Sequence, residues 1–180
     1  TIAADVIRRL HQPVPAENSF SRIEVWGEGF SRLRERFNGG FGPFPRRAVE
    51  MAESLFRDLV SSMGEAVVLH GDLHHFNILS SARDRWLAID PKGVTGEAAC
   101  EPGALLRNPL PGLLNLSYPA RVLERRAAQL SEELGLDRER VACWGLTQAV
   151  LAAWWSYEEE DESSRKFFIA CAELLDRTGR

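Results

Sequence analysis

Apolar positions along the chain fall into two rhythms, and these divide it into helices and a short β-favouring middle. Ile2, Val6, Ile7 and Leu10 recur at three- and four-residue spacing, the stripe of a helix buried on one side, and Pro13 and Pro15 close it. Ile23, Trp26, Phe30, Leu33 and Phe37 predict a second helix from about Phe20 to Phe37, weakened by Gly27 and Gly29. The run from Asn38 to Pro45 is a loop by composition, and its aromatics are candidates for covering a core or meeting a ligand. Val49, Leu55, Phe56, Leu59, Val60 and Met63 predict a third helix over about 46–63, with Gly64 as its C-cap.

The rhythm then changes. Val67–Leu69, Phe76–Leu79 and Trp86–Ile89 are short β-favouring runs, with a turn at Ser81–Arg85 between the last two. After Asp90 the pattern predicts loop through Gly93 and Gly96, then a short helix from Pro102 to Arg107 that Asn108–Gly112 breaks. Three helices close the chain. The first runs from Pro119 to Leu134, with Pro in its opening turn and Gly135 past its end. Next comes a helix starting near Asp137 and apolar on nearly every side, hence central; the last spans about Ser163 to Arg177. The expected fold class is α+β, mostly α-helical, in one compact unit with a short β ribbon.

Composition bounds what such a unit can be. At about 150 residues per domain, 180 residues suggest one domain. That length buries roughly two thirds of its extended surface without disulfides. Twenty-two basic against 26 acidic residues leave a net charge of −4, which disfavours a nucleic-acid partner. Cys100, Cys143 and Cys171 are far apart and form no CxxC pair; they read as reduced, mostly buried thiols in a cytoplasmic protein. No apolar run approaches a membrane span. The amphipathic start is no signal peptide. A chain beginning at Thr1 rather than Met is expected to be a processed product or an excised piece.

Residues with chemistry concentrate on the β patch. His70-Gly71-Asp72-Leu73-His74-His75-Phe76-Asn77 lies between two of its strands, and Asp90 closes the third. If these segments pair, two acids and an amide meet near the strand ends. Phosphoryl transfer uses that inventory: a carboxylate to orient and deprotonate the attacking hydroxyl, and oxygen ligands to hold Mg²⁺ against the phosphates. A zinc site built on His70, His74 and His75 is the rival reading, but no HExxH and no nearby Cys complete a tetrahedron.

The string Leu69-His70-Gly71-Asp72-Leu73-His74-His75-Phe76-Asn77-Ile78-Leu79, followed by Ala88-Ile89-Asp90-Pro91-Lys92-Gly93, resembles the catalytic loop and metal-binding acid of protein-kinase-like enzymes. It is most similar to the streptomycin 6-phosphotransferase and hydroxyurea phosphotransferase family, over roughly residues 65 to 108. The resemblance implies a protein-kinase-like C-terminal lobe, with Asp72 as catalytic base, His70 organising the loop, and Asn77 and Asp90 as Mg²⁺ ligands and cofactor-binding residues. It also implies ATP as donor and a small hydroxylated acceptor, cationic where it is streptomycin-like. Glu101 falls where such enzymes carry an acid after the metal site, in a structural or substrate-facing role. His74 and His75 are expected to pack against Asp72 or line the acceptor site. Lys92 neutralises a phosphate or forms a surface ion pair. Glu158 to Glu162, Asp161 included, is a solvated helix end or a wall for a cationic acceptor. Trp154, Trp155 and Tyr157 can offer ring faces to such a cation, although their spacing puts at least one in the core.

A two-lobed kinase also needs a sheet with a phosphate-gripping Lys before the catalytic loop. The only lysines here are Lys92 and Lys166, both after it. Residues 1–180 are therefore expected to be the C-terminal lobe alone. Without the nucleotide-binding N-terminal lobe, it should bind ATP poorly and turn over little. Two other classes stand beside this reading: a non-catalytic kinase-like lobe that binds a ligand or protein, and a stand-alone helical interaction domain.

Overall fold

The computed structural model describes residues 1–82 and 85–178. Helix α1 (Ile2–Leu10) is capped by the Thr1 side chain and buries Ala4, Val6 and Ile7. These pack with Leu73, Leu105 and Leu130 in a small second core beneath the histidine-rich loop. Strand β1 (Ser21–Arg22) follows, then a 3-10 turn at Ile23–Gly27, helix α2 (Glu28–Arg36) and helix α3 (Arg46–Ser61). Strands β2 (Val67–Leu69), β3 (Ile78–Ser80), β4 (Trp86–Ala88) and β5 (Val94–Gly96) make up the middle. Helices α4 (Gly103–Leu106), α5 (Pro119–Leu134), α6 (Arg138–Glu158) and α7 (Glu162–Thr178) complete the chain.

The mostly helical α+β class matches expectation, and so does the central place of α6. This helix buries Trp144, Thr147, Gln148, Leu151 and Trp154 among others. It packs against α3, α4, α5 and α7. A helix surrounded by other helices has no solvent face to keep polar, which is why its sequence lacks an amphipathic stripe. The Asp137 side chain accepts from the Arg140 amide at 2.7 Å and caps its first turn. Helix α5 starts on Pro119 and stops at Gly135, whose φ of +67° is the left-handed cap the sequence suggests.

Four expectations are corrected. Residues 20–37 are not one helix. The Asn18 side chain turns the chain by accepting from the Phe20 amide, and Ser21 and Arg22 then pair in parallel with Val94 and Thr95. Local helical spacing yields there to a tertiary partner. That partner, β5, lies where loop was expected; the three residues Val94–Gly96 are too short a run to register as a strand. The strand expected at 76–79 begins at Ile78, because His75–Asn77 form a 3-10 turn. Helix α3 ends at Ser61 with Ser62 as its cap, so Gly64 has no capping role.

The β segments are consequently two pieces, not one ribbon. A three-stranded sheet has the order β1-β5-β2, and β3 and β4 form a separate hairpin. In the sheet Val67, Val68 and Leu69 face Gly96, Thr95 and Val94. In the hairpin Ile78 faces Ala88 and Ser80 faces Trp86. Of the turn expected at 81–85, residues 83 and 84 lie outside the described residues. The histidine-rich loop runs from the end of β2 to the start of β3, and so bridges the two pieces.

If α6 is the keel of the fold, truncating its buried face costs far more than truncating the surface. Leu151, with 0% exposure, should lose about 2–5 kcal/mol as Leu151→Ala. Leu116, 43% exposed, should lose less than about 0.5 kcal/mol as Leu116→Ala. Urea unfolding of the two variants checks this, and equal losses would contradict the assignment.

Candidate active site

Residues 70–77 leave β2 through a turn that only glycine fits. Gly71 has φ +81°, and a Cβ there would lie 2.4 Å from Val94 Cγ2. Immediately before it, His70 is 1% exposed. Its Nδ1 accepts from the Asp72 amide at 3.3 Å, and its Nε2 lies 2.8 Å from the carbonyl of Ile89. An amide can only donate and a carbonyl can only accept, so the ring is the neutral tautomer with its proton on Nε2. The His70 carbonyl also accepts from the Lys92 amide at 2.8 Å. One buried imidazole thus ties the segment bearing Asp72 to the segment bearing Asp90.

Asn77 makes a second tie. Its Nδ2 donates to the Asp72 carbonyl at 2.9 Å, and its own carbonyl accepts from the Ile89 amide at 3.0 Å. Because the amide NH₂ faces Asp72, the Asn77 Oδ1 is the atom left to accept or ligate. Asp90 sits at φ +56°, an unusual backbone for a non-glycine residue. Its carboxylate is exposed, with Lys92 Nζ at 3.7 Å. Both members of that pair are solvated, so it contributes little to stability. Asp72, Asn77 and Asp90 are therefore gathered by short bonds between adjoining segments.

Beneath the loop lies Glu101. Its carboxylate is buried and accepts from the amides of His70 at 2.6 Å and Gly71 at 3.1 Å. This fixes its role as a clamp on the loop backbone. Across from it, His11 Nε2 is 3.8 Å from Glu101 Oε2 and has no hydrogen-bond partner among the described residues. Burial pushes the Glu101 carboxyl up to about 7, against the two amide bonds that favour its charged form. Burial likewise lowers His11 to about 4.

His74 points its Nε2 at Asp72 Oδ2, 3.8 Å away, while its Nδ1 accepts from the Phe76 amide. Partial burial holds this imidazole below its ordinary value despite the pull of Asp72. His75 is exposed at the start of the 3-10 turn. The three histidines do not converge. His70 has both nitrogens engaged, and among the described residues no group of three or more His, Cys, Asp or Glu is placed to hold a metal ion. The zinc reading has no donor set.

The remaining expected residues lie elsewhere. Trp154 is 3% exposed and packs against Phe37, Phe44 and Tyr157. Phe44 is buried in the same cluster, so the aromatics of the 38–45 loop include core cover. Asp161 caps α7 by accepting from the Ser164 amide at 2.9 Å. Glu158 is held by Arg32 through two bonds of 3.0 and 3.2 Å. Trp154, Glu158, Arg32 and Arg165 line a concavity of about 900 Å³ at the end of α6. None of its lining residues belongs to 70–77 or 89–92.

Two residues that the motif does not mark stand behind Asp72. Arg107 Nη2 donates to Asp72 Oδ1 at 3.3 Å, and its Nη1 donates to Gln148 Oε1 at 3.0 Å. Both side chains are buried. A Gln on an otherwise apolar helix was the one signal for them in the sequence.

Opposed proton uptake by Glu101 and His11 gives a test of the clamp. Glu101 keeps its proton to about pH 7 when folded, against 4.5 ordinarily, so its contribution falls as pH rises through that window. His11 titrates at about 4 when folded, against 6.5 ordinarily, so its contribution rises with pH between those values. In the wild type the two oppose each other. Urea midpoints of Glu101→Gln should rise from pH 4 to 6.5 without a later fall, whereas those of His11→Gln should fall from pH 4.5 to 7. Parallel profiles for the two variants would remove the clamp's protonation from the account.

Residues 1–160 match the family model described as aminoglycoside/hydroxyurea antibiotic resistance kinase. Hydroxyurea phosphotransferase of Kitasatospora aureofaciens is 34% identical over 163 residues, covering 84% of this chain and 46% of that protein. Streptomycin 6-kinase of Streptomyces griseus is 30% identical over 175 residues, covering 97% and 56%. The chain spans about half the length of these curated relatives. Among solved structures, LicA in complex with AMP aligns with a TM-score of 0.62 at 17% identity, over 98% of this chain and 61% of that one. That likeness is one of fold. By its matched span and its relatives, the chain belongs to the aminoglycoside/hydroxyurea antibiotic resistance kinase family.

Proposed function

We propose that these residues form the catalytic-loop and acceptor-binding lobe of a longer enzyme that transfers the γ-phosphoryl group of ATP to a hydroxyl of a small molecule. The observation that carries this reading is the pair of ties through His70 and Asn77. They draw the Asp72 and Asp90 segments together. The names of the relatives favour an aminoglycoside such as streptomycin, or a hydroxyurea-like compound, as acceptor. The fold neighbour LicA, solved in complex with AMP, supports a nucleotide donor.

In this mechanism Asp72 accepts a hydrogen bond from the acceptor hydroxyl and takes its proton as the oxygen attacks. The new O–P bond forms to the γ-phosphorus while the bond to the ADP oxygen breaks. Asn77 Oδ1 and an Asp90 carboxylate oxygen are hard donors, the type Mg²⁺ takes when phosphates and water complete its shell. These two residues would hold the ion. When bound, Mg²⁺ would neutralise charge on the phosphates. Lys92, tied by its amide to His70 and exposed beside Asp90, is placed to add positive charge at the same point. Partial burial disfavours a charge on His74 beside Asp72.

Among the described residues the β segments before Asp72 are β1 and β2 alone, with no β-hairpin to enclose a triphosphate. The nucleotide-binding lobe therefore belongs to the part of the enzyme outside this chain, and the isolated lobe binds ATP poorly.

Mass measurement of the products made by the full-length enzyme from ATP, Mg²⁺ and a panel of acceptors tests this reading. Asp72→Asn should lower transfer by about 10²–10⁴-fold, and Asp90→Asn should raise the Mg²⁺ concentration needed for half-maximal rate. Wild-type turnover by Asp72→Asn would exclude Asp72 as base. If no acceptor is phosphorylated, the non-catalytic lobe that binds a ligand or protein becomes the better reading.

A further inference from the structure

Asp72 is supported from behind by a buried relay. Arg107 stands at the C-terminal end of α4, 6% exposed, with its guanidinium spanning two partners. Nη2 reaches Asp72 Oδ1 at 3.3 Å and Nη1 reaches Gln148 Oε1 at 3.0 Å. Gln148 is itself 2% exposed, on the central helix α6. Its Nε2 donates to the Cys100 carbonyl at 2.6 Å.

Orientation in this relay is forced. The Cys100 carbonyl can only accept, so the NH₂ of Gln148 must face it, and Oε1 must then face Arg107. A flipped amide would set two acceptors together on one side and two donors together on the other. Gly103 makes the arrangement possible, since a Cβ there would lie 2.5 Å from the Gln148 amide. The Cys100 thiol beside it is held far above its ordinary value by burial, so it stays protonated and brings no charge. Burial disfavours the charge on Arg107, and Asp72 is the first of the groups opposing that cost. Among the described residues Asp72 is the one carboxylate that Arg107 bonds.

We infer that Arg107, locked by Gln148, is a positioning residue for the base. It holds the Oδ1 oxygen of Asp72 and leaves Oδ2, the oxygen beside His74, to receive the proton of the acceptor hydroxyl. The inference rests on the reading of Asp72 as base. A carboxylate held through one oxygen cannot swing away from the attacking hydroxyl. Binding of ATP and acceptor does not depend on that restraint, whereas the rate of proton transfer does.

Steady-state kinetics of the full-length enzyme with ATP, using streptomycin and hydroxyurea as acceptors, reads this out. Arg107→Met should lower kcat by about 100-fold while leaving both KM values near wild type. Arg107→Lys keeps the charge but cannot bridge both partners, and should recover part of the loss. Gln148→Met leaves Arg107 in place without its lock and should give a smaller fall in kcat. A thermal-denaturation cycle of Asp72→Asn and Arg107→Met needs no acceptor. The paired change should cost less than the two single changes added together. Additive costs, or wild-type kcat in Arg107→Met beside an inactive Asp72→Asn, would overturn the inference and leave the base reading standing. An active Asp72→Asn would overturn both, and is told apart by that variant alone.

Discussion

A buried imidazole with each nitrogen committed can sit in one way only, and the rest of the site inherits that constraint. His70 receives the Asp72 amide on one nitrogen and meets the Ile89 carbonyl with the other. The first bond sets where the loop turns after Gly71. The second sets how far the Asp90 segment lies from it. Neither depends on a titratable charge, because the imidazole is neutral in this tautomer. Any cation at this position would face the amide of Asp72 with a second donor and lose the first bond. An organiser that works as a neutral hydrogen-bond hub is therefore better suited here than a lysine or arginine.

Around the hub, two buried ionisable groups hold different parts of the loop. Glu101 takes the backbone amides of His70 and Gly71, and Arg107 takes the side chain of Asp72. Burying either alone would be costly. Each is offset by directional bonds supplied by the fold: two amides for Glu101, and Gln148 with Asp72 for Arg107. The division of labour has a physical logic. A clamp on the backbone fixes where the chain runs, and a clamp on the side chain fixes where the carboxylate points. The first is set beside His11 of the segment after α1, and the second is set by α6, so both cores of the molecule converge on one loop of eight residues.

How much of this was legible beforehand follows from the range of each interaction. The helices α1, α3, α5, α6 and α7 could be read because their stripes, prolines and caps are local. The pairing of β1 with β5 could not, since two- and three-residue strands carry no periodicity of their own and exist only through each other. Asp72, Asn77 and Asp90 stood out because their spacing is a property of one stretch of chain. Arg107 and Gln148 did not, being 41 residues apart and meeting only when α4 docks on α6. Gln148 still left a trace, as an amide on a helix with no exposed face. Trp154 is the opposite case. An aromatic near an acidic run reads as a cation-binding face, yet its neighbours Phe37 and Phe44 take its ring into the core.

The bonds described above shape the loop from residues 70–107 and from α6, whereas a kinase also has a second, separable task. On the proposed reading Asp72 would serve as base and Asn77 and Asp90 would face the metal, with their segments tied through His70 and Asn77. A site ordered by its own fold leaves binding energy available for the transition state. Gripping the triphosphate is the other task, and no comparable β scaffold precedes Asp72 here. Phe76, Leu79 and Ile89 are exposed beside Asn77 and Asp90. Exposed apolar side chains are costly to leave in water, and they become favourable once a second surface excludes water from them. The same exclusion would strengthen the electrostatics at Asp72 and Asp90.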